Sequence, residues 1–234
     1  MTTKQISEII EKHLVPRDDY IYGFADLTLL VDESFGDFQF GISIGKKLDD
    51  RIVNGIYGGP TMAYYQHYRQ VNRDLADLTH LIATDLKKAG INTICTDPTV
   101  TTEQLDTIYS RDLKTRLSHK MVATRAGLGW IGKSDLFISN LFGPRLRLVS
   151  ILTDTPLDCV AESIEMSRCG NCKHCMNRCP AGAISGKLWD ISVDRDEFFD
   201  AFKCREMCKV MGEKHLKMNV RVCGICVAVC PFGW

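Results

Sequence analysis

Cys169, Cys172, Cys175 and Cys179 stand in the spacing C-x2-C-x2-C-x3-C, and Pro180 follows them. Three thiolates on one tight loop can each reach a different iron of a cubane. The proline then turns the chain away, so that the fourth sulfur serves the other cluster of a pair. A partial copy closes the chain: Cys223, Cys226, Cys230 and Pro231, with Cys204 and Cys208 upstream in place of its missing first cysteine. The expected sets are Cys169, Cys172, Cys175 and Cys230 for one [4Fe-4S] cluster. The second takes Cys179, Cys223, Cys226 and either Cys204 or Cys208, which lie four apart and would share a helix face. Structural zinc, the competing use of paired cysteines, favours longer separations between its ligand pairs.

The cysteines also divide the chain. Of eleven in 234 residues, only Cys95 and Cys159 precede position 169. The change of composition falls within 157–168 and predicts one domain over 1–160 and a small ferredoxin-like domain over 161–234. Disulfides do not explain such a set in a reducing cytosol. A cytoplasmic location is expected, because the start reads as an amphipathic helix (Ile6, Ile9, Ile10, His13, Leu14) and lacks the apolar core of a signal peptide. No apolar run approaches the roughly 20 residues that span a bilayer. With 29 basic and 29 acidic residues, nothing in the net charge favours tight nucleic-acid binding.

Some 60 residues suffice for two clusters, so the preceding domain must bind something. Residues 20–31 and 38–45 are rich in aromatic and branched side chains and predict strands. Residues 58–90 predict a long helix, with Tyr64, Tyr68, Val71, Leu75, Leu78, Ile82 and Leu86 recurring every three or four positions as a core stripe, whose first tyrosines could instead touch a flat ligand. Residues 91–97, 134–140 and 145–154 read as further strands, and 113–127 as a second helix. The alternation predicts an α+β sandwich around a mixed sheet.

Between that helix and the next strand lies "GLGWIGKS", residues 127–134. It fits both the dinucleotide pattern G-x-G-x-x-G and the phosphate loop G-x-x-x-x-G-K-[ST]. Each of those needs a strand before the glycines and a helix after them, and here the order is reversed. Gly127, Leu128, Gly129, Trp130, Gly132 and Lys133 are instead expected to bring backbone close to a different cofactor. In the preceding helix Lys120 falls among Leu113, Leu117 and Met121 at 100° per residue. Such a lysine either snorkels to solvent or points into a pocket beside His119.

The segments "AGLGWIGKSDLFIS" and "LRLVSILTD", the C-x2-C-x2-C-x3-C-P run, and a lone cysteine before C-x2-C-x3-C-P together resemble epoxyqueuosine reductase. The resemblance runs from about residue 119 onward, roughly half the chain. It implies a nitroreductase-like domain joined to a 2[4Fe-4S] domain, as in the distantly related reductive dehalogenases, with cobalamin held between them. It also implies that Cys204 is the lone ligand. The family's Asp-Ser-Ala-Pro segment, whose aspartate donates a proton, would fall at "RDLKTRL", with Leu113 in the aspartate's place. His119 or Lys120 is the expected substitute. The family's tRNA-holding C-terminal extension has no counterpart after Cys230, so tRNA is not the expected substrate.

The resulting expectation is an oxygen-sensitive iron–sulfur oxidoreductase that passes electrons through two clusters to cobalamin, or to flavin, for reduction of a small molecule. A ferredoxin or flavodoxin would donate the electrons, and a homodimer is a further expectation. The competing expectation is a redox partner that activates a separate corrinoid protein or flavoenzyme.

Overall fold

The structure is a computed structural model and describes residues 2–159 and 162–233. The domain boundary expected between 160 and 161 lies outside the described residues. Strands β1 (Tyr20–Asp26), β2 (Phe40–Lys47), β3 (Thr93–Cys95) and β6 (Leu146–Thr153) form one sheet in the order β1-β2-β6-β3. Each neighbouring pair is antiparallel, with Ile42 opposite Ile151 and Ile94 opposite Leu152. The sheet expected to be mixed is therefore antiparallel throughout the described residues. The long crossover after β2 does not join adjacent strands, because β6 inserts between β2 and β3 and runs against both.

Two helices share one core with the sheet. In α1 (Thr3–Glu11) Ile6 and Ile10 are fully buried, as is Leu14 just beyond it. The crossover helix α3 (Met62–Lys88) starts at Thr61, whose hydroxyl accepts from the Tyr64 amide, and stops before Gly90 at φ +83°. Val71, Leu75, Leu78, Ile82 and Leu86 lie in the same core as Ile42, Ile44, Val149 and Ile151. From Val71 onward the stripe read from the sequence is core, whereas Tyr68, at its start, is only partly buried and lines a cavity.

The helix expected over 113–127 is shorter. Only His119–Arg125 forms α5, capped by Ser118, whose hydroxyl accepts from the Met121 amide. Leu113 has left-handed backbone at φ +55°, so the arc from Leu113 to Met121 does not exist. After a three-residue link from α5, Gly129–Ile131 forms β4, which pairs with β5 (Phe137–Ser139) in a separate hairpin. The strand expected over 134–140 is thus only its second half.

The C-terminal part is built from short helices around the cysteines: α6 (His174–Arg178), α7 (Arg195–Phe198), α8 (Ala201–Leu216) and α9 (Ile225–Ala228). Two further short helices, α2 (Asp50–Asn54) and α4 (Thr102–Thr107), lie in the larger part. The two parts are tied together by Arg145, a fully buried guanidinium. It donates to Asp50 Oδ1 at 3.0 Å and to the carbonyl of Ala228 at 3.4 Å. No helix among the described residues is long and apolar enough to cross a membrane.

Candidate functional site

The nine C-terminal cysteines surround two neighbouring cavities. Cys169, Cys172, Cys175 and Cys230 line the smaller, of about 20 Å³, with Lys133, Ser134 and His174. Cys179, Cys204, Cys208, Cys223 and Cys226 line the larger, of about 250 Å³, with Tyr64, Tyr68, Leu136 and Arg147 from the other domain. Cys226 lies on the wall of both. Among the described residues no three His, Cys, Asp or Glu side chains converge to hold a single metal ion. A cubane asks for a different arrangement, one thiolate at each of four separated corners, and a set of four thiols and a set of five are at hand.

The larger set has one sulfur too many. Cys204 and Cys208 lie on one face of α8 with their sulfurs 3.9 Å apart, closer than two corners of a cubane stand. Cys208 also hydrogen-bonds Cys223, so its sulfur sits between those two. The hydrogen bond from Cys208 holds Cys204 below the usual thiol range and brings Cys223 down to about 7, while Cys208 itself is pushed up. In the smaller set, burial raises Cys230 to about 12, with the charge of Cys169 adding to it. A thiol that must lose its proton to ligate makes cluster binding stronger as pH rises.

The β4–β5 hairpin, which holds the glycine segment, faces this iron–sulfur part. None of Gly127, Leu128, Gly129, Trp130, Gly132 and Lys133 lines the large junction cavity described next; of their neighbours, Ile131 does. Gly127 (φ +70°) ends α5, and Leu128 packs under the hairpin in the apolar core. A Cβ on Gly132 would stand 3.5 Å from Cys169 Sγ. Trp130 packs with Cys169 and Cys230, and its buried N–H has no partner in the protein, as suits a neighbour that carries acceptor sulfur. Lys133, 5% exposed, donates to the carbonyls of Gly170 at 2.7 Å and Cys172 at 2.9 Å.

Lys133 thus fixes the first cysteine loop and adds a cation to its cavity. A centre that gains negative charge on reduction is easier to reduce beside a cation. Lys133→Met is therefore expected to lower the potential of one cluster, by on the order of 60 mV for a tenfold effect on a one-electron couple. Lys133→Arg should keep it, and an EPR-monitored redox titration reads both. An unchanged potential in Lys133→Met would reduce the ammonium to a hydrogen-bond donor.

Three further cavities share Lys120, and of these only the largest takes lining residues from the C-terminal part as well. The largest, about 610 Å³, is lined by Leu113, Lys120, Asp135, Trp189 and Arg195. A second, of about 580 Å³, runs past Thr99, Tyr109 and His119, and a third, of about 240 Å³, joins His119, Lys120 and Asp135 to Leu136 and Arg147. Lys120 lines all three, and Leu136 and Arg147 carry the third onto the five-cysteine cavity. Arg147 is held there by Asn72 Oδ1 at 2.8 Å and by the Tyr68 ring at 4.7 Å.

Lys120 does not snorkel. Its ammonium bonds Asp135 Oδ1 at 2.6 Å and the Asp135 carbonyl at 2.9 Å. His119 is engaged at both nitrogens. Its Nε2 lies 2.8 Å from the Asp97 carbonyl, which can only accept, so Nε2 carries the proton. Nδ1, 2.9 Å from Ser150 Oγ, is then the acceptor, and burial holds the ring's pKa down in this neutral form. Leu113 is pinned by Arg195, which donates to its carbonyl at 2.8 Å.

Asp135, Arg147 and Arg195 were not singled out from the sequence. Asp135 falls within the stretch read as a strand over 134–140, but its left-handed backbone (φ +58°) places it in the hairpin turn. Only the packing of α5 against the hairpin brings it to Lys120.

Fold and site together define a nitroreductase-like α+β domain carrying a double-cluster iron–sulfur domain. Residues 168–233 match the 4Fe-4S double cluster binding domain family. Over half of its length the chain is similar to epoxyqueuosine reductases. It is 29% identical to that of Listeria monocytogenes over 124 residues, which cover 50% of this chain and 30% of that protein. It is 35% identical to that of Yersinia pestis over 119 residues, covering 50% and 28%. The matched part thus spans about a third of these relatives' length. In fold the chain is similar to a catabolic reductive dehalogenase solved with 3-bromo-4-hydroxybenzoic acid. The TM-score there is 0.68 at 16% identity, covering 92% of this chain and 30% of that one. An epoxyqueuosine reductase solved with a modified tRNA stem loop gives 0.61 at 18%, covering 99% and 66%.

Proposed function

We propose that this chain is an iron–sulfur oxidoreductase that passes electrons through two [4Fe-4S] clusters to a large cofactor at the domain junction, where a small substrate is reduced. The observation that carries the reading is that the cavities adjoin. Leu136 and Arg147 line both the five-cysteine cavity and the one beside Lys120 and Asp135. Cys169, Cys172, Cys175 and Cys230 would hold the outer cluster, and Cys179, Cys204, Cys223 and Cys226 the inner one. The cavities reach the size range of ligand sites and suit cobalamin better than a compact ligand. A bound corrinoid would supply low-valent cobalt as the reducing centre.

The protein's own part is proton supply and enclosure. Lys120 is the better proton donor of the two residues proposed for that role. Its side chain lines all three cavities, with Asp135 to hold the ammonium in place. His119 has its one N–H committed to a backbone carbonyl.

The test is anaerobic reconstitution followed by titration with cob(II)alamin. A saturable change in the corrinoid spectrum is expected, and its weakening in Lys120→Glu would place the site at the junction. No spectral change overturns the corrinoid, whereas a flavin that copurifies under anaerobic conditions would take its place. Leu113 at the position of the family's acid favours a second reading. In it the chain delivers electrons to a separate corrinoid protein or flavoenzyme and has no substrate of its own.

A further inference from the structure

Along residues 167–189, which carry the first cysteine loop, every charged side chain is basic: Arg168, Lys173, Arg178 and Lys187. This stands out in a chain whose 29 basic and 29 acidic residues otherwise balance. Lys187 is neutralised by Glu197 at 2.6 Å. Among the described residues no carboxylate pairs with the other three. Arg168 lies over the Trp130 ring, and Arg178 donates to the Tyr57 carbonyl. Lys173, His174 and Arg178 are exposed. His174 and Arg178 sit one turn apart on α6, and Lys173 is the residue that precedes this helix, so the three exposed groups lie within six positions of one another.

The group lies beside a redox cavity. Cys172 and Cys175 flank Lys173 and His174 in the chain, and His174 itself lines the cavity of the first cysteine set. The cavity of the second set instead adjoins the one beside Lys120, with Leu136 and Arg147 lining both. Electrons bound for the junction would therefore enter at the first set.

We infer that Lys173, Arg178 and the exposed loop around Cys172 form the docking face for an acidic protein electron carrier. The inference rests on the two-cluster reading above. In each encounter the carrier loses one electron and one cluster gains it; no bond forms or breaks. A small cationic rim around a redox centre steers an acidic partner into the orientation that brings its own centre close, which raises the association rate more than the affinity. A nucleic acid is the less fitting occupant, because three cations neutralise few phosphates.

The experiment uses the anaerobically reconstituted full chain and a chemically reduced, acidic flavodoxin as the probe, with cluster bleaching followed by stopped flow. The wild-type second-order rate is expected to fall steeply as salt is raised. Lys173→Glu combined with Arg178→Glu should lower it at low salt by roughly tenfold or more and flatten its salt dependence. Lys173→Gln with Arg178→Gln should fall between, and reduction by dithionite should be unchanged in all. A wild-type rate insensitive to salt overturns the inference without any variant. So does a charge reversal that abolishes binding of a transfer RNA while leaving flavodoxin kinetics alone. Failure of the wild-type chain to assemble two clusters would instead sink the two-cluster reading itself.

Discussion

Replacing Cys204 with alanine is expected to halve the iron that the reconstituted chain holds, from about eight per chain to about four. Replacing Cys208 with alanine should leave about eight in place. The two cysteines are four apart on α8, and their spacing gives no reason to prefer either. The packing does. Cys208 hydrogen-bonds both Cys204 and Cys223, which puts its sulfur between two positions that a cubane needs at separate corners. A thiol there can donate to ligand sulfurs, and such hydrogen bonds raise a cluster's potential. Cys208→Ala should thus shift one cluster's potential downward while the iron stays. Iron analysis and an EPR-monitored titration separate the cases. Loss of iron from Cys208→Ala, with none from Cys204→Ala, would reverse the assignment. Loss only in the double variant would mean that either thiol can complete the set.

Much of this arrangement is legible in the sequence because it depends on local chemistry. The cysteine spacings reflect how far a short loop can reach, and the stripe from Val71 to Leu86 reflects helical period; neither needs a partner segment. The antiparallel sheet is another matter. Nothing local to residues 145–154 says that β6 pairs on both sides, between β2 and β3, rather than at an edge. Leu113 misleads for a related reason. Its apolar type fits a helical arc, but its backbone is left-handed and its carbonyl is taken by Arg195, 82 positions away. The Lys120–Asp135 pair is equally remote from local pattern, since a turn and a helix must pack before an ordinary turn aspartate becomes a lysine's partner. Lys133 shows the converse. As part of G-K-S it suggests a phosphate ligand, yet its ammonium serves two carbonyls of the cysteine loop.

Gly129 and Gly132 stand three apart in one segment, and alanine at each should have very different consequences. A Cβ on Gly129 would lie 2.1 Å from the Ile138 carbonyl oxygen and 2.7 Å from Ser139 Cα, both backbone atoms of the paired strand. Side-chain rotation cannot relieve that, so the two strands must separate and give up their hydrogen bonds. A Cβ on Gly132 meets Ile138 Cδ1 at 2.7 Å, the end of a side chain that can turn aside. Gly129→Ala is expected to cost about 3 kcal/mol or more, and Gly132→Ala about 1 kcal/mol. The larger loss should reach the metal. The hairpin carries Trp130 against Cys169 and Cys230 and sets Lys133 under the first cysteine loop. Opening it removes both supports, so Gly129→Ala should lose iron from the first set before the second. Thermal unfolding followed by iron release and by EPR checks the order. If Gly129→Ala unfolds no earlier than Gly132→Ala, the hairpin does not hold the first cysteine loop in place.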